Sequence, residues 1–199
     1  MLFDVSVWQV LCGTLLLACL ASFGWGMRRF FVQPAGSTTG MQITKFCGLG
    51  FSVLHLSAIL TRSTLSPGQA QLAAVLYLMS LGLFWWSIHA NRENPLSAVF
   101  SPDLPQHFVK RGPYMWVRHP LYTSYLLTWL AGAIATGRLW LFPSFAVMVM
   151  IYWRAARHEE EKFFRSALAS VYAAYCSRTG LFLPSLVGLL MHFKGIPFS

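Results

Sequence analysis

A chain of 199 residues that is 56% hydrophobic and 16% aromatic, with mean hydropathy +0.54 and only 11% charged residues, lies far from the soluble-globule average of about 25% charged residues. That composition excludes a soluble enzyme domain and describes a polytopic membrane protein; at roughly 20 apolar residues per crossing, the length suits one all-α bundle of about five transmembrane helices. A net charge of +9 would suit nucleic acid if it formed one basic face, but the Lys and Arg residues are dispersed between apolar runs. Membrane orientation explains them, and no nucleic-acid partner is expected.

In chain order, the run from Val5 to Met27 is long enough to cross and stops at Arg28-Arg29. No Lys or Arg precedes it and no small-residue cleavage site leads into a soluble domain, so it reads as a retained span. Gln33 to Gly40 is a polar loop rich in turn residues. A second span is expected from about Thr44 to Leu60, ending before Arg62 and the Ser66-Pro67-Gly68 turn. A third runs from Ala70 to Ala90, closed by Asn91-Arg92-Glu93-Asn94-Pro95. His55 and His89 fall near or inside these spans without an acidic or metal-ligand partner nearby in sequence, which favours packing or interfacial roles. Cys12, Cys19, Cys47 and Cys176 stand singly, without CxxC spacing, and read as small core residues; no metal site is expected.

Leu96 to Val117 breaks the pattern with Pro102, Asp103, Pro105, His107, Lys110, Arg111 and Pro113; it reads as an ordered loop or interfacial segment, too polar to span. Leu121 to Thr136 and Leu139 to Trp153 follow, two short apolar runs separated by Gly137-Arg138, and predict a tight helical hairpin whose helices begin in the interface or bury one end inside the bundle. Small-residue patterns at Gly48-Leu49-Gly50 and Gly132 to Gly137 suit close helix packing, within or between chains. Residues 1–109 form amino-terminal spans and a loop, and residues 110–199 form a core that integrates with them as one domain.

On this topology thirteen of the 15 Lys and Arg residues fall on one side, and only Arg62 and Arg138 on the other. The bias puts the amino terminus outside and the loops around Arg118, with the carboxy-terminal segment, in the cytoplasm. A bacterial inner membrane is the expected location.

Two polar constellations stand out. The first is Gly112 to Tyr122, which sets Arg118, His119, Tyr114 and Tyr122 at the start of an apolar helix. The second lies in Arg154 to Pro184, where half the acidic residues of the chain, Glu159, Glu160 and Glu161, occupy one turn. At about 100° per residue, Arg157, Glu161, Phe164, Leu168, Tyr172 and Tyr175 share one helix face, with Glu160 at its border. A bland reading remains open: carboxylates at a helix amino terminus followed by an amphipathic helix on the bilayer, ending near Gly180. Leu181 to Phe193 is then an apolar run too short to span comfortably, which spans, re-enters or lies on the surface. Taken together, Arg for a carboxylate, Glu for an ammonium, and aromatic and imidazole rings for a base match the groups of S-adenosylmethionine. Methyl transfer from that donor needs alignment and water exclusion but no metal. No GxSxG, Walker or strand-linked GxGxxG element points elsewhere.

The order Gly112-x-Tyr114-x-x-x-Arg118-His119-Pro120-x-Tyr122, two spans, Glu160-Glu161, then Tyr172-x-x-Tyr175-x-x-Arg178 and Pro184, resembles the isoprenylcysteine carboxyl methyltransferase family, part of a wider set of integral membrane methyltransferases that includes the phospholipid methyltransferases. The resemblance covers about Lys110 to Pro184. It implies a cytosol-facing pocket for S-adenosylmethionine and a lipophilic acceptor entering from the bilayer. By position, Gly112, Tyr114, Arg118, His119, Tyr122, Glu160, Glu161, Tyr172 and Tyr175 would form the cofactor site. Arg118 and Arg178 match arginines that hold the cofactor or a substrate carboxylate near the transferable methyl, and would be the catalytic residues. Ser124 and Ala169 depart from the family, which commonly has Gly at both places. The acceptor atom, O, S or N, is not legible. Alternatives are an NADPH-dependent membrane reductase of the sterol-reductase type and a non-enzymatic scaffold contacting anionic lipid. Residue by residue, Arg118 could snorkel to phosphates, His119-Pro120 could simply start a helix, and Tyr172 and Tyr175 could be interfacial belt residues.

Overall fold

The computed structural model describes residues 6–32, 39–61, 65–92, 96–97, 107–186 and 190. Among them are six α-helices: α1 Val7–Phe30, α2 Thr39–Leu60, α3 Pro67–Ala90, α4 Pro120–Thr136, α5 Phe142–Phe164 and α6 Ala169–Cys176. Short 3₁₀ turns, Gly112–Met115 and Leu139–Leu141, lead into α4 and α5. Most of the Gln33 to Gly40 loop, Arg62, Glu93 to Pro95, Pro102, Asp103, Pro105 and Lys194 lie outside the described residues, as does most of the Leu181 to Phe193 run beyond Leu186.

Four stretches are long and apolar enough to cross a membrane: α1, α2, α3 and Leu139–Phe164. The fifth expected span, α4, has 17 residues, about 26 Å at 1.5 Å per residue, short of the ~30 Å hydrocarbon thickness. It is also the helix that the others enclose, with residues on every face buried from Pro120 to Thr136. Protein and not lipid surrounds it, so it tolerates hydroxyls that find partners inside the bundle. Ser80 Oγ on α3 donates to the Ser124 carbonyl at 2.6 Å and lies 2.8 Å from Thr128 Oγ1. The Ser124 hydroxyl turns back to the Leu121 carbonyl.

Glycine lets α2 close on α4. A Cβ on Gly132 would lie 2.1 Å from His55 Nδ1, and His55 Nε2 meets Ser144 Oγ of α5 at 2.7 Å, so one buried ring joins three helices. His55 is thus a packing residue, and His89 is exposed. The other small-residue pattern differs: at Gly48 and Gly50 an added Cβ would meet nothing within 4 Å. Gly137 adopts φ 59°, the left-handed cap that ends α4, and a Cβ there would crowd Gln69 Nε2 at 2.7 Å. The hairpin turns where the sequence places it. Cys12 and Cys19 are fully buried, their thiols reaching the Ala70 and Tyr77 carbonyls; Cys47 and Cys176 are only partly buried.

The ends of α1 and α3 are tied by a two-residue parallel pair, β1 Phe31–Val32 with β2 Leu96–Ser97, and Tyr125 near the start of α4 reaches Met27 of α1. The end of α3, the start of α4 and the end of α5 therefore meet at one end of the bundle.

Helices α2 and α3 start at Thr39 and Pro67, inside the loop and the turn expected from the sequence, and two boundaries nearer the carboxy terminus differ as well. Helix α5 does not stop at Trp153 but continues through the acidic turn to Phe164. The amphipathic helix expected over Arg154 to Gly180 is divided, because the Ser166 hydroxyl donates to the Phe163 carbonyl and accepts the Leu168 amide, competing with helical bonding; α6 restarts at Ala169 for eight residues. Glu159 to Glu161 consequently occupy the last turns of a long helix, not the first turn of a new one, which removes the amino-terminal dipole as their reason to be there. Beyond α6 the chain runs as a strap beside residues 116–123. Arg118 N–H donates to Gly180 O at 2.8 Å, His119 N–H to Leu181 O at 3.1 Å, Gly180 N–H to Trp116 O at 3.2 Å, and Thr123 Oγ1 to Phe182 O at 2.8 Å.

Gly132→Ala is expected to destabilise the bundle by about 1–3 kcal/mol through overpacking, read as thermal unfolding in detergent. His55→Ala in the same chain should recover part of the loss, since the clash is with that ring. No loss in the single variant would contradict this packing.

Candidate functional site

Pro120 at the first position of α4 fixes where the helix starts, so Arg118 and His119 project from the turn before it. Gly112 holds φ +63°, and a Cβ there would sit 3.1 Å from both Ala90 Cβ and Trp86 Nε1; glycine lets the 3₁₀ turn press on the end of α3. Arg111 Nε donates to the Ala90 carbonyl at 2.9 Å. From the opposite side α5 presents its buried face, Met148, Tyr152, Ala155, Ala156 and Glu160, a 3.6-residue period carried beyond the apolar run.

The carboxylate of Glu160, on a residue 2% exposed, takes a cation on each oxygen. Arg118 Nε donates to Oε1 at 2.5 Å and Arg157 Nη1 to Oε2 at 3.1 Å. Arg118 Nη1 also donates to the Thr179 carbonyl and, at 3.3 Å, to that of Cys176, so the same guanidinium closes the end of α6. His119 is wedged between two carboxylates: Nδ1 lies 3.5 Å from Glu159 Oε2 and Nε2 lies 3.6 Å from Glu160 Oε1. The second distance is too long for a hydrogen bond, and Nε2 is buried without a hydrogen-bond partner among the described residues. Tyr122 OH donates to Glu159 Oε1 at 2.7 Å.

Aromatic rings form the rest of the wall. His119 lies nearly parallel to Tyr122, with centroids 5.5 Å apart, and Tyr122 to Tyr152 at 5.3 Å, a column running from the charged turn into the bundle. Tyr175 OH donates to the Tyr114 carbonyl at 2.6 Å. Tyr172 stacks on Phe163 at 4.4 Å and receives the edge of Phe108.

Charge state follows from these neighbours. Burial disfavours the imidazolium of His119, but the carboxylates of Glu159 and Glu160 on either side of the ring outweigh it and raise its pKa. Burial works against Arg118 as well, and Glu160 reverses it, leaving the guanidinium more firmly charged. Burial raises Tyr172, with Glu160 adding to the effect, and burial raises Tyr175; both phenols stay protonated.

The structure therefore brings Arg118, His119, Tyr122 and Glu160 together, seats Gly112 against the end of α3, and links Tyr114 to Tyr175. Tyr172 lies close enough to Glu160 and Arg118 for their charges to act on it. Arg178 is partly buried in the strap, where its carbonyl accepts from Ser185 Oγ. Glu161 is exposed: the acidic pair that faces the site is Glu159 and Glu160. Counting the face backward from α6 through the Ser166 break assigns the inward carboxylate to Glu161, whereas counting forward from Tyr152 and Ala156 assigns it to Glu159 and Glu160. Asn91, Tyr152 and Glu159 were not singled out as site residues. The period of α5 could have found the last two; Asn91 carries no local signal.

These features define the class: an all-helical membrane protein with a charged, aromatic-walled site where its helices end. Comparison with known proteins narrows it. The phospholipid methyltransferase family matches residues 69–171, half the chain, and the chain belongs to that family, within the wider group of integral membrane methyltransferases that includes the isoprenylcysteine enzymes. No curated protein matched the chain. The matched range takes in nearly all of α3, then Gly112 to Tyr122, α4, α5 and the acidic turn; Tyr172, Tyr175 and Arg178 lie beyond it.

Glu160→Gln strips one partner from a buried ion pair and is expected to cost about 3 kcal/mol, whereas Glu161→Gln should stay within about 0.5 kcal/mol, both measured by unfolding in detergent. Equal losses would refute the assignment of the inward carboxylates. Because the pKa of His119 is raised in the folded state, its stabilising contribution is complete below its ordinary value of about 6.5 and disappears as pH rises through the folded value. Wild type should lose melting temperature on going upward through that window, and His119→Gln should flatten the slope.

Proposed function

We propose that this membrane methyltransferase takes its methyl group from S-adenosylmethionine and delivers it to a lipophilic acceptor that enters from the bilayer. The observation that carries the reading is His119 Nε2, a buried imidazole nitrogen that stops 3.6 Å short of Glu160 and makes no hydrogen bond among the described residues, in a wall that already holds charges of both signs and stacked rings. A buried polar atom without a partner is costly unless a ligand or water completes it. The donor set fits a zwitterionic nucleoside. Glu159 suits an ammonium beside Glu160, which is itself held by Arg118 and Arg157; Arg118 and Arg178 suit a carboxylate, and Tyr114, His119, Tyr122, Tyr172 and Tyr175 a ribosyl and purine surface, with Gly112 seating the turn that carries Tyr114 against α3.

When bound, S-adenosylmethionine supplies a sulfonium methyl that a nucleophile takes by a single in-line displacement. The chain's own residues bind, orient and exclude water. Arg118 keeps α6 against the site through the Thr179 and Cys176 carbonyls; Glu160 holds Arg118 and Arg157 in place; the Tyr122 and Tyr152 column keeps the inner wall dry. An ionised carboxylate or thiolate acceptor needs no base, whereas an amine must also lose a proton, and the acceptor proposed here is defined only as lipophilic. The excess of Lys and Arg at the site's end of the bundle supports a cytoplasmic site with the amino terminus outside. Membership of a methyltransferase family favours methyl transfer over a nicotinamide-dependent reductase and over a scaffold.

Calorimetric titration of S-adenosylhomocysteine into detergent-solubilised protein tests this. Wild type is expected to bind, and His119→Ala to bind about tenfold or more weakly, the loss of a hydrogen bond being worth about 1–1.5 kcal/mol. Absence of binding to well-folded wild type would overturn the proposal.

A further inference from the structure

Asn91, the residue that caps the carboxy-terminal end of α3, is nearly buried and lies outside both constellations that the sequence marks. Its Nδ2 is 2.8 Å from the Ser87 carbonyl and 2.7 Å from the Tyr114 hydroxyl. These two contacts fix more than a position. The Ser87 carbonyl can only accept, so the amide must turn its nitrogen and not its oxygen toward it. That nitrogen carries two hydrogens; one goes to Ser87 and the other is directed at Tyr114. An amide nitrogen only donates, so the phenol oxygen accepts at this contact and its own hydrogen is left to point elsewhere. Among the described residues none accepts it.

The phenol has that hydrogen to give. Burial raises the pKa of Tyr114, the hydrogen bond from Asn91 works the other way, and Glu159 adds to the rise. The ring stands in the 3₁₀ turn Gly112–Met115, just ahead of Arg118 and His119. The Tyr114 backbone is held separately, by Tyr175 OH on its carbonyl and by the turn that Gly112 allows against Ala90 and Trp86. Backbone position and hydroxyl polarity thus have different owners.

We infer that Asn91 is a positioning residue that sets Tyr114 as a one-way hydrogen-bond donor toward a lone-pair acceptor on the bound methyl donor. This rests on Tyr114 forming part of the proposed S-adenosylmethionine site, and adds a residue and a polarity that the proposal does not contain. Substituting Asn91 by Asp keeps the size but reverses the polarity: a carboxylate accepts the phenolic hydrogen and removes it from the ligand. Tyr114→Phe removes the same hydrogen directly.

The test is a double-mutant cycle read by titration of S-adenosylhomocysteine into the detergent-solubilised full chain, with melting temperature measured on each variant. Asn91→Asp and Tyr114→Phe should each weaken binding about tenfold, and Asn91→Asp should weaken it little further once Tyr114 is Phe. A residue that only holds the end of α3 together would lower melting temperature and affinity alike in both backgrounds. Equal further weakening in the Phe background, or unchanged affinity in Asn91→Asp, overturns the inference while leaving the proposed function standing. Failure of wild type to bind overturns both. Should Asn91→Asp not fold, Asn91→Ala replaces it, with an expected three- to tenfold weakening that vanishes in Tyr114→Phe; persistence of that weakening counts against the inference in the same way.

Discussion

The contact between Arg118 and Glu160 is the one on which the rest of the structure leans. Two charges removed from water cost several kcal/mol each, recovered only where geometry is close and the remaining polar atoms are satisfied. Both conditions hold here: Glu160 accepts from Arg118 and Arg157 on different oxygens, and Arg118 spends Nη1 on carbonyls at the end of α6. A single guanidinium therefore joins the turn before α4, the last turns of α5, and the segment after α6. Remove it and the strap beside residues 116–123 keeps its own hydrogen bonds but loses the side-chain tie that joins the end of α6 to α5.

Helix α4 is organised around the same end. It is too short to serve as a fully lipid-exposed crossing and does not need to, because α1, α2, α3 and α5 wrap it. Its enclosure allows the Ser124 carbonyl and the Thr128 hydroxyl to meet Ser80 inside the bundle, and it delivers Tyr122 and Tyr125 from the interior to the site. The rigid column from His119 to Tyr152 follows from that placement: rings on one helix face repeat every three or four residues, and α5 supplies the partner ring. The charged site thereby rests on a floor of buried, stacked rings.

Much of this was legible. Uninterrupted apolar runs and their charged ends give the helices, and Gly137 gives the hairpin, because lipid imposes a length and every backbone group must be satisfied within the helix. Arg118, His119 and Tyr122 stand together in sequence before a helix-starting Pro120, so their proximity is local. The Glu160 side of the site is not local. Its orientation depends on whether α5 continues past Trp153, and a charged stretch looks like the end of a span when only hydropathy is read. The Ser166 break is equally invisible to a periodicity count, which is why Glu161 and not Glu159 fell on the predicted face. Asn91 was out of reach altogether: its partner Tyr114 lies 23 residues away, and nothing in the composition around either residue marks the pair.

The proposed function has the charged end of this bundle pass a methyl group to a lipophilic molecule. Incubating the purified chain with S-adenosylmethionine labelled in its methyl group and an extract of membrane lipids tests it most directly. The account predicts label in the organic phase with wild type and little with His119→Ala. Well-folded wild type that leaves the organic phase unlabelled would contradict it.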